Sequence, residues 1–221
     1  MSDFSTARRK MVDGQVRPSD VTDIRIIEAM LEVPREAFVP EGRRALAYLD
    51  CDLDIGEAGG AKRFLIKPAV LAKMLQAAQI SANDNVLVVG CASGYAAAVV
   101  AKLARKVTAT ESDAALAARA REVLAPPGFG NVTVRTAAAA DGDPTDAPYD
   151  VIVLGGATEI IPDRLYRQLN DGGRLVGVFA TSRPQRAVLV THSHADFGER
   201  ALFDAAAPVL PGLERPPAFV F

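Results

Sequence analysis

The chain has 221 residues, 49% of them hydrophobic, and a formal net charge of −2, which allows one large domain with a sizeable core and gives no basic stripe of the kind nucleic-acid binders carry. Its two cysteines, Cys51 and Cys91, form no close pair, so a disulfide framework is not indicated and a reducing cytoplasm is the expected setting. No run of about 18 apolar residues offers a membrane span, and Met1 to Arg17 lacks the apolar centre of a signal peptide.

In chain order, the first predicted element is a helix over 20–33. Ser19 or Asp20 would cap it, Ile24, Ile27, Met30 and Leu31 recur at helical spacing, and Pro34 stops it. The stretch 34–62 is rich in proline and glycine, with a short helix from Glu41 to Tyr48. Pro68 opens a helix running to Gln79 with Val70, Leu71, Met74, Leu75 and Ala78 on its buried side. A strand–helix alternation follows. Strands are expected at Val86–Val89, Lys106–Thr110, Asn131–Arg135, Asp150–Leu154 and Arg174–Phe179. Helices are expected at Tyr95–Ala104, Ala114–Leu124 and Pro162–Leu169. Such alternation implies parallel strands joined by right-handed crossovers. Ala187–Thr191 and Arg200–Asp204 flank a turn-like segment with Asp196 and Gly198, an antiparallel hairpin at the sheet edge. The prolines beyond it predict an extended tail on the surface.

Gly90-Cys91-Ala92-Ser93-Gly94 lies between a strand and a helix. Glycines there allow a sharp turn and close approach to a ligand, which would also meet the start of the helix. Glu111 ends the next strand, where a carboxylate can accept from both ribose hydroxyls of a nucleoside. The expectation is that Glu111 and the amides of 90–94 face a common cavity shaped for an adenosyl group. A plain turn with a surface glutamate is the competing reading. Neither G-x-G-x-x-G nor a P-loop is present, and a looser loop followed by an acid suits S-adenosylmethionine better.

The flanks carry a resemblance. Met11-Val12, Gln15, Asp23, Ala29-Met30, Val33-Pro34-Arg35-Glu36, Phe38-Val39-Pro40, Ala47-Tyr48 and Asp50 resemble the N-terminal signature of protein-L-isoaspartate O-methyltransferases. Ser93-Gly94-Tyr95, Asn131-Val132, Ala147-Pro148-Tyr149-Asp150 and Gly172-Gly173-Arg174-Leu175-Val176 continue it, so that it covers roughly residues 11 to 180. The resemblance implies a single Rossmann-like α/β methyltransferase domain over 1–221, with a mostly parallel sheet between helices. Residues 1–80 would form an acceptor-side extension, 81–180 the cofactor-binding core, and 181–221 the hairpin and tail. It also implies S-adenosylmethionine as donor, bound by Gly90, Ala92, Ser93, Gly94, Glu111 and Ala138, and a damaged protein or peptide as acceptor. The implied chemistry is methylation of an isoaspartyl carboxylate, whose ester cyclises to a succinimide and reopens partly to aspartate, a protein-repair reaction. The donor methyl is already electrophilic and the carboxylate already anionic, so proximity and orientation are the main demands.

The chain departs from the family at named positions. The family's Gln-Thr-Ile-Ser-Gln-Pro is Arg63-Phe64-Leu65-Ile66-Lys67-Pro68 here. Ile66 replaces the serine that helps place the acceptor carboxylate, Phe64 replaces the threonine, and neither side chain can hydrogen-bond. Losing such a bond costs about 1–3 kcal/mol, roughly one to two orders of magnitude in rate where it acts in the transition state. On the cofactor side, Val88 stands for an acidic residue, Ala92 for the middle glycine, and Ala137-Ala138-Ala139 for a Gly-Asp-Gly whose aspartate would meet the adenine amino group. The expected function is therefore isoaspartyl methyl transfer with weak or altered activity. The alternative is an inactive paralogue serving as a binding or regulatory module.

Other residues have competing readings. Lys62, Arg63 and Lys67 would attract an anionic acceptor or, the favoured reading, form a solvated charged loop. His192 and His194 would share a strand face, but with no third ligand in view a surface strand end is favoured over a metal site. Cys91 reads as a small buried filler rather than a reactive thiol, and Tyr95 as packing that supports the loop.

Overall fold

The computed structural model describes residues 4–56, 62–194 and 196–216. Gly59, Gly60 and the tail beyond Pro216 lie outside them. The N-terminal part is helical: α1 (Phe4–Met11) runs on through a wider turn at Val12–Val16 and is followed by α2 (Ile24–Glu32). Asp23 caps α2 by accepting from the Arg25 amide, so the helix starts later than Ser19 or Asp20 would have set it. Val33 leaves helical geometry before Pro34, because proline disfavours a helical residue ahead of it. Glu41–Leu46 is a tight 3₁₀ segment. A two-strand ribbon, β1 (Leu53–Asp54) with β2 (Phe64–Leu65), leads into α3 (Pro68–Ala78), which proline opens as expected.

The core alternates β3 (Asn85–Val89), α4 (Tyr95–Ala101), β4 (Lys106–Glu111), α5 (Ala114–Leu124), β5 (Val132–Thr136), β6 (Tyr149–Thr158), α6 (Asp163–Tyr166) and β7 (Leu169–Phe179). The hairpin β8 (Arg186–Ser193) and β9 (Asp196–Asp204) closes one edge. The sheet order is β5-β4-β3-β6-β7-β8-β9, parallel from β5 through β7 and antiparallel beyond. This is a Rossmann-like sheet of the kind the family resemblance implies. Val86 to Val89 are all inaccessible to solvent, as a central strand covered on both faces requires.

Three details differ from expectation. The helix expected over Pro162–Leu169 is a single turn, because the chain enters β7 at Leu169. The hairpin strands are longer than expected, and Asp196 and Gly198 lie within β9 while His194 takes the left-handed turn geometry. The tail is extended but not superficial. Its Ala157 and Glu159 partners on and beside β6 donate to Pro208 and Leu213 oxygens, the Leu210 amide donates back to Ala157, and Leu213 is fully buried. Two apolar side chains set between prolines have drawn it inward.

The turn from β3 to α4 lies beside β6 at the point where successive crossovers diverge, β4 on one side of β3 and β6 on the other. In open α/β sheets this is where ligands bind. At the opposite end, Asp146 accepts from Lys106 Nζ (2.7 Å) and Arg135 Nη2 (3.0 Å), tying the start of β4 to β5. Those two hydrogen bonds hold its carboxyl down to about 2. A carboxyl lowered on folding adds stability above its unfolded pKa of about 3.9 and loses it as pH falls through the folded value. Asp146→Asn should lower stability at neutral pH by at most about 1 kcal/mol, as for solvent-facing pairs, and flatten the fall in urea midpoint between pH 4 and pH 2.

Candidate functional site

The loop 90–94 is built by three residues with positive φ: Gly90 (+68°), Ala92 (+53°) and Gly94 (+99°). Gly90 favours glycine, because its φ of +68° strains any side chain and a Cβ would push against the Leu210 methyls. Gly155 on β6 must be glycine, since its Cβ would overlap the Gly90 carbonyl oxygen. Ala92 adopts the left-handed conformation that disfavours any Cβ, at the position where a glycine would be relaxed. The loop is closed by Gly94 N–H donating to Cys91 O (2.8 Å) and tied to β4 by Cys91 N–H donating to Thr110 O (2.9 Å).

Glu111 is 1% exposed and its carboxylate is fully engaged. Oε2 accepts from the Ala92 amide (2.9 Å). Oε1 accepts from the Asp113 amide (2.9 Å) and from Arg63 Nε (3.0 Å). Arg63, 7% exposed, also donates from Nη2 to Ser112 Oγ (2.8 Å). Arg63 is thus not part of a solvated basic loop. It is the buried counter-charge of the acid at the end of β4, while Lys62 is exposed and Lys67 half-buried. Burying a guanidinium is costly, and pairing with this carboxylate offsets the cost.

The acceptor-side segment is held by Arg35. Its Nε donates to Ala47 O (2.8 Å) and Nη2 to Ile66 O (3.0 Å), and its guanidinium lies 4.6 Å from the Tyr95 ring centroid. Burial pushes this guanidinium's pKa down, with Tyr95 acting the other way. Ile66 is buried and Phe64 half-buried; both line small voids against Gly90. The Lys67 amide donates to Asp52 Oδ1 (2.9 Å), and burial raises that carboxyl's pKa. Tyr95 packs edge-on against Phe38, Ser93 donates its hydroxyl to Phe38 O, and Cys91 is buried, which pushes its thiol up. Val88 is inaccessible in β3, and Ala138 is exposed two residues beyond β5. His192 Nδ1 meets the carbonyls of Leu169 and Asn170, and among the described residues no group of three or more His, Cys, Asp or Glu could hold a metal.

The structure brings the loop, Ile66 and Phe64 together, and Arg63 links this segment to Glu111. Among the described residues, one void of about 10 Å³ is lined by Arg35, Phe64, Ile66, Gly90 and Tyr95, and a second of about 10 Å³ by Arg63, Phe64, Gly90, Ala92 and Leu210. Glu111, the residue read from the sequence as a ribose partner, is paired with Arg63 here, and the Leu210 side chain lies against Gly90. Sequence reasoning missed both residues. Arg63 was visible only as one of several cations, and Leu210 and Leu213 only as apolar residues in a proline-rich tail.

Residues 7–202 match the family model for protein-L-isoaspartate(D-aspartate) O-methyltransferase. The chain belongs to the protein-L-isoaspartate O-methyltransferase family. It is 42% identical over 194 residues to protein-L-isoaspartate O-methyltransferase 1 of Rhodopseudomonas palustris (strain HaA2), covering 87% of this chain and 78% of that protein. It is 46% identical over 171 residues to protein-L-isoaspartate O-methyltransferase 2 of Anaeromyxobacter sp. (strain Fw109-5), covering 77% and 69%. The fold is shared with a protein-L-isoaspartate O-methyltransferase structure (TM-score 0.83, 24% identity, 94% of this chain and 67% of that one). It is also shared with a Plasmodium falciparum structure described as a putative member of the family in complex with S-adenosyl-L-homocysteine (TM-score 0.77, 18% identity, 92% and 97%). Among the described residues no helix is long and apolar enough to cross a membrane.

The strained Ala92 gives a direct test of the loop. Ala92→Gly should raise stability by about 1 kcal/mol, the cost of holding a Cβ in the left-handed region, read as a higher urea midpoint with an unchanged slope.

Proposed function

We propose that this chain methylates isoaspartyl carboxylates of damaged proteins with S-adenosylmethionine as donor, at a rate well below that of a member carrying the acceptor serine. Family membership supports the reaction class. The observation that carries the lowered rate is the acceptor wall: Ile66 and Phe64 sit against Gly90 with apolar side chains only. These residues exclude water but supply no donor to orient a carboxylate, and orientation is most of what this transfer demands. Exposed Lys62 and half-buried Lys67 flank the segment and would draw an anionic acceptor toward it. The internal engagement of Glu111 by Arg63 favours a second reading, a binding or regulatory module without turnover.

The test is methyl transfer to a synthetic isoaspartyl peptide. Wild type should give weak turnover, and Ile66→Ser with Phe64→Thr should raise it by about tenfold or more, the worth of one restored hydrogen bond. Rapid turnover by wild type would contradict the lowered rate. No turnover by either protein, with S-adenosylhomocysteine bound to both, would contradict methyl transfer to this acceptor.

A further inference from the structure

We infer that the chain carries its own latch over the cofactor loop. The Arg63 guanidinium occupies the partner position of Glu111, the Leu210 side chain occupies the space above Gly90, and an adenosyl ligand enters by displacing both. This inference deepens the proposed function and rests on it for the identity of the ligand.

Two independent segments converge on the loop. The first is the short β2 ribbon, where Arg63 precedes Phe64 and its carbonyl accepts from the Ile55 amide (2.7 Å). Its side chain reaches past the ribbon to Glu111 and Ser112, two groups on a different layer of the fold. The second is the tail. Val209 bridges Ala157 in parallel fashion beside the end of β6, and three backbone hydrogen bonds seat Leu210 there: Ala157 N–H to Pro208 O (2.8 Å), Leu210 N–H to Ala157 O (2.9 Å) and Glu159 N–H to Leu213 O (2.8 Å). Pro208, Val209, Leu210 and Pro211 then share one lining with Lys62, Arg63 and Phe64 over Gly90 and Ala92.

The chemistry of the contact is substitution. A carboxylate at the end of β4 accepts from ribose hydroxyls in adenosyl-binding sheets; here it accepts from a guanidinium at 3.0 Å in the same buried position. The remaining donors to Glu111, the amides of Ala92 and Asp113 and the Ser112 hydroxyl, belong to the loop and to the segment leading into α5 and stay in place when Arg63 moves away. The groups that close the site are thus separable from those that build it. Neither Arg63 nor Leu210 is needed to form the parallel sheet, whose strands are complete without them.

A ligand that binds only the open form has its apparent affinity reduced in proportion to the fraction of molecules that are open. Calorimetry with S-adenosylhomocysteine, on full-length wild type, Leu210→Ala and Arg63→Gln, measures that fraction. Circular dichroism and thermal melts establish that each variant is folded, and Leu210→Ala serves if loss of the Glu111 counter-charge unfolds Arg63→Gln. Both variants should bind at least tenfold more tightly than wild type. In wild type, saturating ligand should speed hydrogen exchange in the peptide spanning 205–216, because the Leu210 amide loses its bond to Ala157.

Equal affinities in wild type and folded variants would overturn the latch, as would slowed or unchanged exchange in that peptide with ligand bound. Binding that follows the latch pattern without methyl transfer to isoaspartyl peptide would leave the latch standing and remove the proposed acceptor. Absence of binding in all folded proteins would overturn the latch and the choice of cofactor together.

Discussion

A buried carboxylate in this fold must be answered by charge or by several hydrogen bonds, and Glu111 has both. It sits at the end of β4, 1% exposed, and takes up the amides of Ala92 and Asp113 together with the Arg63 guanidinium. Removing a charge from water is costly unless donors surround it. That one requirement links three parts of the molecule: the loop after β3, the start of α5, and the acceptor-side ribbon. Much of what is distinctive about the site follows from which donor completes the shell.

The surrounding packing supports this arrangement. Gly155 lets β6 approach the Gly90 carbonyl, and Gly90 in turn leaves room for Leu210. Arg35 fixes the far side of the ribbon through backbone carbonyls of Ala47 and Ile66 while lying over Tyr95. The acceptor segment is therefore held at both of its ends by arginines, one reading backbone oxygens and one reading a carboxylate. Ile66 and Phe64 lie between them, so their apolar side chains form the wall where the family resemblance places hydrogen-bonding ones.

Much of the fold was legible in the sequence. The run Val86 to Val89, the proline opening α3, and the strand–helix alternation led to the parallel sheet, and α5 has the bounds its pattern predicted. Boundaries failed where tertiary pairing overrode local pattern: β6 and β7 extend well past their apolar runs because each continues to pair, which leaves α6 a single turn. The site was legible in its covalent order, loop then acid, but not in its occupancy. Periodicity and motif spacing report which face of an element is buried. They do not report that a cation beyond a glycine-rich turn will reach across layers to a particular acid, or that a tail some hundred residues beyond the loop in sequence will lie over it. Ala92 is the intermediate case, where substitution for the family's glycine was visible and its left-handed backbone was not.

The claim at the centre of this account is that Arg63 and an adenosyl ribose compete for one carboxylate. A crystal structure grown in excess S-adenosylhomocysteine tests it most directly. The account predicts that where the ligand is bound, Glu111 accepts from its ribose, Arg63 has swung away and Leu210 has left Gly90. Ligand seated over the loop with the Arg63–Glu111 pair intact and Leu210 still in place would contradict it.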